Sequence, residues 1–322
     1  MKMNLKKSRW LIIFLTPFVL LFLNYDFAEI DRDTVNIDDG LEDSIDVLIP
    51  DSLMVADSAI VDTIGEASPQ RLDRFIPNHA FDVGEKLTFD VRYGFITAGH
   101  ATMEVQDKIM VRDSFPAYRI VSTARSTKTF DLFFKVRDSV ESVLDSRGIF
   151  SWGFKKSLRE GAYKFDLFVD YNQLYGKANI EMIRYHNDEP LRIRKKEEFE
   201  LTVPKYVIDI LGAFYYVRTQ RLRVGDPIYI TNHDNKNIYK LKVIIQRREQ
   251  IKVKAGKFNC IVVQPQLKGD AIFKQKGKLW VWLTDDELKI PVQMKSKAFI
   301  GSIVTELTKI EGIEKPITAR VK

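Results

Sequence analysis

PKYVIDILGAFYYVRTQ, residues 204–220, is the stretch that decides the fold. Apolar side chains fill nearly every position from Val207 to Val217, and only Asp209 and Gly212 interrupt them. An α-helix that is apolar all round must be covered on most of its sides. We therefore predict one long buried helix over residues 204–220, with the rest of the chain wrapped around it.

Asp209 and Arg218 bring two charges into this apolar segment. At about 100° per residue, they point to opposite faces of a helix and cannot pair with each other. A buried carboxylate must be compensated or have its pKa perturbed. A guanidinium near the helix end either holds strands by hydrogen bonds or receives an anionic headgroup. Each residue therefore needs a partner of its own.

Residues 84–94, GEKLTFDVRYG, alternate apolar and polar side chains. A period of two is typical of a strand with one buried face and one solvated face. The run TAGHATMEVQD, residues 97–107, alternates in the same way after a turn at Phe95 and Ile96. The two runs predict a β-hairpin.

Turn signals separate many more short strands along the chain. Residues 188–198 predict a charged loop or sheet edge, and TKTFDLFF, residues 127–134, predicts a helical turn. Further strands are predicted at 117–124, 136–144, 148–153, 163–169, 176–182, 227–231, 237–247, 251–253, 258–266, 278–282, 291–295, 298–300 and 303–310. The expected fold is mainly β, of the α+β class: a large curved antiparallel sheet or half-barrel wrapped around one long buried helix.

The N-terminus, MKMNLKKSRW followed by LIIFLTPFVLLFL, has the basic and then apolar pattern of an export signal. Its apolar run, residues 10–23, is shorter than the roughly 20 residues that a membrane span needs, although residues 25–28 can extend it. Residues 1–28 are therefore a signal peptide or an uncleaved N-terminal anchor. Both alternatives place the body in the periplasm or cell envelope, tethered to the inner membrane in the second case.

Charge is distributed unevenly along the chain. Residues 26–66 contain 13 acidic residues and Arg32 as their one basic residue. Residues 26–66 thus carry −12 and residues 1–25 carry +4, so a net charge of +6 for the whole chain leaves +14 on residues 67–322. We interpret residues 29–72 as an acidic flexible tether and residues 73–322 as a single β-rich domain with its central helix at 204–220.

Several separated blocks resemble the domain-of-unknown-function family numbered 3108. The blocks are FDVGEKLTFDVRYGFITAGHATMEV (81–105), FDLFFKVRDSVESVLD (130–145), EGAYKFDLFVDY (160–171), YVIDILGAFYYVRTQ (206–220), GKFNCIVVQP (256–265) and LWVWLTDDELKIPVQMKSKAFIGSIVTEL (279–307). The resemblance implies an exported bacterial protein with a β-rich fold, and it brings no catalytic residues. The last block is also similar to the C-terminal part of periplasmic lipoprotein carriers, which close a curved sheet over an apolar cavity with more helices than this chain has.

The sequence lacks the residue patterns of metal and nucleotide sites. The histidines are scattered, at positions 79, 100, 186 and 233, and no H-x-H, H-E-x-x-H or C-x-x-C motif is present. Cys260, the single cysteine, lies in an apolar strand and is expected to be a buried thiol. We predict no cofactor and no metal site. Because the body is exported, its basic excess indicates anionic lipid surfaces as partners rather than nucleic acid.

Carboxylates remain as the one catalytic resource, and they leave an enzymatic alternative open. Two acids across a groove at glycosidase spacing would give a hydrolase of cell-wall or surface polysaccharide. The same residues serve equally as caps, turns and strand-edge ion pairs. The candidates are Glu141, Asp145, Glu160, Asp209, Asp285 and Asp286.

The leading prediction is a non-enzymatic envelope protein that binds a lipidic or apolar ligand, or an envelope protein partner. Aromatic side chains are abundant enough to line an apolar cavity, although such residues are more often core. The residues predicted to bind the ligand are Phe133, Phe134, Asp209, Tyr215, Tyr216, Arg218, Trp280 and Trp282. A third alternative is a structural subunit of an envelope assembly, with an exposed apolar patch and no pocket.

Overall fold

The computed structural model describes residues 68–267, 279–297 and 302–322. The predicted signal peptide or anchor, residues 1–28, lies outside the described residues. So do the strand predicted at 298–300 and the acidic tether up to residue 67. Those assignments stay predictions.

The described residues form fifteen strands and two helices. The strands are β1 (Lys86–Tyr93), β2 (Ile96–Val111), β3 (Phe115–Ser126), β4 (Arg137–Asp145), β5 (Ser151–Glu160), β6 (Tyr163–Asn172), β7 (Lys177–Tyr185), β8 (Ile193–Thr202), β9 (Ile228–Asp234), β10 (Asn237–Val253), β11 (Gly256–Leu267), β12 (Leu279–Thr284), β13 (Pro291–Lys297), β14 (Ser302–Glu311) and β15 (Arg320–Val321). The helices are α1 (Lys128–Asp131) and α2 (Ile210–Thr219). Neither helix has the length and apolarity needed to span a bilayer.

All fifteen strands belong to one antiparallel sheet in the order β8-β7-β6-β5-β4-β3-β2-β1-β14-β13-β12-β11-β10-β9, with β15 paired to β11. Consecutive hairpins build each half, and the pairing of β1 with β14 joins the two halves. The sheet is open, with β8 and β9 at its two edges. The mainly β antiparallel fold predicted from the sequence is confirmed, and the charged segment at 188–198 contributes to the edge strand β8.

The central helix is shorter than predicted. It begins at Ile210, with Asp209 as its N-cap, so residues 204–209 are not helical. Tyr206 has a positive φ of 63°, a conformation that an α-helix cannot contain. Ile208 instead pairs with Asn232 of β9 in a parallel bridge. The apolar character of residues 207 and 208 therefore reflects burial beside the sheet edge rather than helix.

α2 lies inside the curve of the sheet. It packs against both β4 and β9, which are far apart in the strand order. A sheet can bring two such distant strands to one helix only by bending around it. Leu211, Tyr215 and Val217 of α2 are buried in the main hydrophobic core. This arrangement confirms the prediction of an apolar helix enclosed by a curved sheet.

Polar contacts connect the two edges of the open sheet. Lys236, in the turn between β9 and β10, donates to Glu197 of β8 and lies 5.6 Å from the centre of the Phe199 ring. Behind this seam, Lys156 Nζ of β5 is 2.9 Å from Asp234 Oδ1 at the end of β9, and both side chains are buried. Side chains, not backbone hydrogen bonds, therefore hold β8 against β9.

The antiparallel order gives the sheet two distinct ends. At one end, which we call the α1 end, lie the β1–β2 turn, the β3–β4 loop with α1, and the β5–β6 turn. The chain enters α2 at the opposite end, where residues 70–76 also cross the sheet. That opposite end is tied down, since Arg74 donates to the carbonyls of Gly148 and Ile149 at 2.7 and 2.8 Å.

Candidate functional site

Four large apolar side chains are exposed together at the α1 end of the sheet. Phe95 and Ile96 expose 87% and 51% of their surface, and Leu132 and Phe133 expose 82% and 73%. We call these four residues the rim patch. Single exposed apolar residues are normal on protein surfaces, whereas a cluster of them at loop tips marks an interaction site.

The first half of the rim patch comes from the turn between β1 and β2. Gly94 has a positive φ of 60°, which lets the chain reverse directly after Tyr93. Its position has no neighbouring atom within 4 Å of an added Cβ, so the turn stands free of the body. The next two residues, Phe95 and Ile96, are consequently carried beyond the end of the sheet.

The second half of the rim patch comes from the loop around α1. Thr127 caps the helix by accepting a hydrogen bond from Phe130 N–H at 3.3 Å. Phe134 is buried at the base of the loop, while Leu132 and Phe133 point away from it. Phe133 and Phe134 follow the end of the helix, and of the two only Phe134 packs back onto the sheet. The run Leu132-Phe133 is therefore exposed although it is apolar.

The two halves are neighbours in space. Thr127 N–H donates to Ala98 O at 2.9 Å, and this bond joins the loop to the start of β2. Ala98 packs with Phe134 and Val136 in a small hydrophobic cluster under the loop, and Phe130 covers it. The bases of both loops are thus joined, which places their exposed tips at the same end of the sheet.

A salt bridge inside the loop fixes its shape. Arg137 donates through both terminal nitrogens to Asp131, at 3.1 Å to Oδ1 and 2.5 Å to Oδ2. Ser126 Oγ donates to the same carboxylate. The hydrogen bonds from Arg137 and then from Ser126 hold the pKa of Asp131 below its ordinary value. The one acidic residue of the loop is therefore already neutralised by its partner.

Basic side chains surround the rim patch. Arg125, Lys128 and Lys135 are all exposed, and they lie just before, within and just after α1. With Asp131 paired to Arg137, the segment from residue 125 to residue 137 carries a net charge of +3. The α1 end thus combines an apolar tip with a cationic surround.

The structure separates the eight residues that the sequence singled out as ligand-binding. Phe133 belongs to the rim patch, and Phe134 lies directly beneath it. Tyr215 and Trp282 are buried, whereas Tyr216 and Trp280 are partly buried against the core. Their role in binding a ligand stays a prediction.

Asp209 is fully buried at the N-terminus of α2. Its Oδ1 accepts from Gly212 N–H at 2.7 Å, and its Oδ2 accepts from Ser142 and Ser151 hydroxyls at 2.6 and 2.5 Å. Burial raises the pKa of this carboxyl, although the hydrogen bonds oppose that effect. These contacts cap the helix and join it to β4 and β5.

Arg218 is fully buried near the other end of α2. Its guanidinium donates twice to Glu85, at 2.6 and 2.7 Å, and also donates to the carbonyls of Ala80 and Leu288. The rings of Phe81 and Tyr215, which contact each other, lie beside it with centroids 5.4 and 5.1 Å from Arg218 Cζ. The donors of the guanidinium are thus used within the protein, and the arrangement is that of a structural clamp.

The acids of the hydrolase alternative are largely engaged in structural contacts. Asp145 accepts from Trp152 Nε1 at 3.0 Å and from Gly148 N–H at 2.6 Å. Asp286 accepts from the backbone of Leu288 and Ala319, and Asp285 pairs with Arg248. Each of these three carboxylates thus accepts hydrogen bonds or pairs with a cation within the protein.

Glu160, one of the candidate acids, lies beside Asp138, which the sequence patterns did not single out. Asp138 of β4 interacts with Glu160 of β5, and both side chains are buried on the inner face of the sheet. Burial raises the pKa of Asp138 to about 7. The pair lies beneath the α1 loop rather than in an open groove. Among the described residues, no group of three or more His, Cys, Asp or Glu side chains could hold a metal ion.

The inner face of the sheet carries the buried core side chains, and two concavities are found on the surface of the part of the chain that the structure describes. One of about 370 Å³ is lined by Phe168, Asp170, Asn179, Ile180, Glu181, Glu198 and Phe199. Another of about 330 Å³ is lined by Arg221, Leu222, Ile261, Thr284, Asp285, Asp286, Glu287, Lys289 and Thr318. Both open broadly to solvent, so neither encloses a ligand as a carrier cavity does.

A family model for proteins of unknown function, DUF3108, matches residues 88–308. The chain belongs to the DUF3108 family. This membership confirms the resemblance seen in the sequence blocks, and it carries no assigned activity. No curated protein matches this DUF3108 chain.

Three solved structures match this DUF3108 chain over about three quarters of its length, with little sequence in common. A β-barrel-like DUF1849 protein from Brucella abortus is 10% identical, with a TM-score of 0.47, over 72% of this chain and 99% of that one. A candidate exported protein with a YmcC-like fold from Bacteroides fragilis is 10% identical, with a TM-score of 0.33, over 74% and 99%. A candidate lipoprotein from Parabacteroides distasonis is 9% identical, with a TM-score of 0.32, over 74% and 100%.

Proposed function

We propose that this DUF3108 protein is a non-enzymatic binding module of the cell envelope that docks on a lipid surface through its rim patch. The observation that carries the proposal is the group of four exposed apolar side chains at one end of an otherwise packed sheet. The basic then apolar N-terminal sequence supports export to the envelope.

The size of the rim patch suits reversible docking. Fully burying a Leu, Ile or Phe side chain contributes roughly 1.5–3 kcal/mol, and insertion into the acyl boundary buries only part of each one. Arg125, Lys128 and Lys135 each add about 1 kcal/mol near an anionic surface. Together these contributions describe a peripheral contact of moderate strength, which an N-terminal anchor would reinforce.

A lipid surface fits the α1 end better than a ligand inside the sheet does. Tyr215 and Trp282 are enclosed by core side chains, so a ligand there requires the sheet to open. The rim patch is exposed and needs no rearrangement. A tip of Phe and Leu surrounded by Lys and Arg is the composition that binds the interface of an anionic bilayer. A protein partner remains the alternative occupant, and the experiment below separates the two.

The test uses a fluorophore on the α1 loop of the full-length protein. Thr129→Cys places the label on an exposed position beside the patch, and Ser114→Cys places it at the opposite end of the sheet. Cys260 is buried, and burial raises the pKa of its thiol to about 12, so it does not compete for the label. Vesicles of phosphatidylcholine and phosphatidylglycerol carry a spin-labelled lipid that quenches the fluorophore on contact.

We expect at least fivefold stronger quenching at position 129 than at position 114. Phe133→Asp and Leu132→Asp should each reduce the quenching at 129 about tenfold, because a carboxylate opposes insertion into lipid. Met110→Asp is the matched control, since Met110 is exposed but lies near the opposite end. Equal quenching at the two positions, or no effect of the patch substitutions, would rule out lipid docking and leave a protein partner.

A further inference from the structure

The chain enters the folded body at the end of the sheet opposite the rim patch. Gln70 N–H donates to Leu174 O, in the turn after β6, at 2.6 Å. The α1 loop is joined to the other end of β6, where Gly161 N–H donates to Lys135 O at 2.8 Å. β6 has ten residues, so at about 3.3 Å per residue the strand and its flanking turns separate the two attachments by roughly 33–43 Å.

Residues 41–55, LEDSIDVLIPDSLMV, precede this entry point and lie outside the described residues. We call them the acidic segment. Their four acids give a net charge of −4, since no Lys or Arg is among them, and the apolar runs VLI and LMV lie between and after these acids. The acidic segment thus combines negative charge with large apolar side chains.

The α1 end offers the complementary combination. Leu132 and Phe133 are exposed there beside three cations. Within the part of the chain that the structure describes, the side chains of Arg125, Lys128 and Lys135 form no salt bridge and no hydrogen bond. Cations that are not neutralised inside the protein, next to an apolar tip, suit an occupant that is both acidic and apolar.

The acidic segment is long enough to reach the rim patch. Ile49, near its middle, lies nineteen residues before Ser68, and an extended chain of that length spans about 63–68 Å. Val55, its last residue, lies thirteen residues before Ser68 and can reach about 43–47 Å. Because the segment is covalently attached, its effective concentration at the α1 end is on the order of millimolar, so a weak contact suffices.

We propose that the acidic segment docks on the α1 end and competes there with anionic lipid. Its apolar runs cover Leu132 and Phe133, and its acids face the three cations. This competition rests on the proposed lipid docking, because both occupants use the same side chains. A lipid surface must displace four tethered acids, so docking requires a strongly anionic surface.

Disulfide trapping in the full-length protein tests the contact without lipid. Ser52→Cys is combined either with Thr129→Cys, beside the rim patch, or with Ser114→Cys, in the β2–β3 turn. Position 114 lies near the entry point, since Arg112 pairs with Asp170, near the end of β6, at 3.1 Å. A segment that is not docked would reach position 114 at least as easily as position 129. We expect trapping at 129 to be at least tenfold faster.

Charge substitutions identify what holds the segment. Asp46→Asn with Asp51→Asn removes two of its acids and should slow trapping at 129 about fivefold. Asp62→Asn with Glu66→Gln is the matched control. It removes the same charge, but these residues lie at most six residues before the described chain, a reach of about 20–22 Å, and cannot contact the α1 end. Phe133→Asp should also slow trapping, and so should salt at about 0.5 M, which screens the charges.

The same variants give the result with lipid. In the vesicle assay with the fluorophore at position 129, Asp46→Asn with Asp51→Asn should strengthen docking about threefold, whereas the matched control should leave it nearly unchanged. Docking that the first pair does not strengthen overturns the competition.

The two measurements separate the contact from lipid docking. Trapping that is no faster at 129 than at 114, or that both pairs of substitutions slow equally, overturns the contact and leaves lipid docking standing. Fast trapping at 129 together with absent lipid quenching in every variant supports the contact and contradicts the proposed function.

Discussion

Arg218 and Glu85 illustrate how a buried charge is retained in an apolar core. Both side chains are essentially inaccessible to solvent, and two charge-assisted hydrogen bonds join them. The partners come from α2 and from the residue just before β1, so the pair connects the helix to the first strand. Such a pair contributes little net stability, but either charge is costly when it is left alone.

Glu85→Gln should therefore destabilise the protein by about 3–5 kcal/mol, because it leaves the Arg218 guanidinium buried without a counter-charge. Urea unfolding measures the change. Replacing both residues, as Glu85→Leu with Arg218→Met, should restore most of the lost stability. Glu200→Gln is the matched control, since its pair with Lys177 is about half exposed and should contribute less than about 1 kcal/mol. A single variant as stable as the parent would contradict this account.

Asp138 gives the fold a pH dependence of a definite sign. Its pKa is raised from 3.8 to about 7 by burial, so the folded protein binds a proton that the unfolded chain has lost in this range. The free energy of unfolding should therefore decrease as pH rises from 4 to 7, by up to about 1.4 kcal/mol per pH unit from this group. The contribution is complete below pH 4 and lost above pH 7.

The measurement is urea unfolding at a series of pH values. Asp138→Asn should remove this part of the slope, whereas Asp170→Asn should leave it unchanged, because Asp170 is exposed. A slope that Asp138→Asn does not alter would show that other groups account for the pH dependence.

At the scale of elements, the α1 loop is positioned by a close approach of Phe134 to the β5–β6 turn. Gly161 has a positive φ of 55°, and the Phe134 ring occupies the space that a Cβ would need. Gly94, in the other turn of the rim patch, has a similar φ of 60° but no neighbour within 4 Å. A side chain would thus meet the same unfavourable backbone conformation at both glycines, but it would collide with a neighbouring ring only at Gly161.

Gly161→Ala should destabilise the protein more than Gly94→Ala does. We expect roughly 1 kcal/mol from the backbone conformation at each position, and a further 1–3 kcal/mol at Gly161 from displacing Phe134. Unfolding in urea gives both values, and Gly94→Ala serves as the control for backbone strain alone. Equal costs would mean that Phe134 moves aside freely and that the loop is only weakly attached.

At the scale of the whole molecule, patterns that repeat along the chain could be predicted, and features that depend on distant residues could not. Alternation identified the hairpin of β1 and β2, and the apolar run around Leu211 identified a helix that the sheet encloses. The predicted start of this helix, residue 204, was wrong. The local sequence around Asp209 is compatible with two positions for this residue, as the N-cap of the helix or inside it. Only the serines of β4 and β5 and the positive φ of Tyr206 decide between them.

The sequence predicted only part of the candidate site, because the rest of the site also depends on contacts between distant residues. Phe133 was selected with Phe134 because both are aromatic, but only the packing of Phe134 against Ala98 and Val136 distinguishes the buried ring from the exposed one. The exposure of Phe95, Ile96 and Leu132 could have been predicted from the sequence. Consecutive apolar residues in a turn do not belong to a strand, so the sheet does not bury them. Asp138 carried no such signal, because its neighbour Glu160 is brought to it by the pairing of β4 with β5.

The seam between β8 and β9 has a consequence for how related chains can vary in length. A closed barrel fixes its strand number and stagger together, so one added strand changes the register all the way round. Here Lys236, Glu197 and Phe199 bridge the two edges through flexible side chains. A hairpin inserted between β8 and β9 would leave all the other strand pairings of the sheet unchanged. Related chains can therefore gain strands at this position without a change in the rest of the fold.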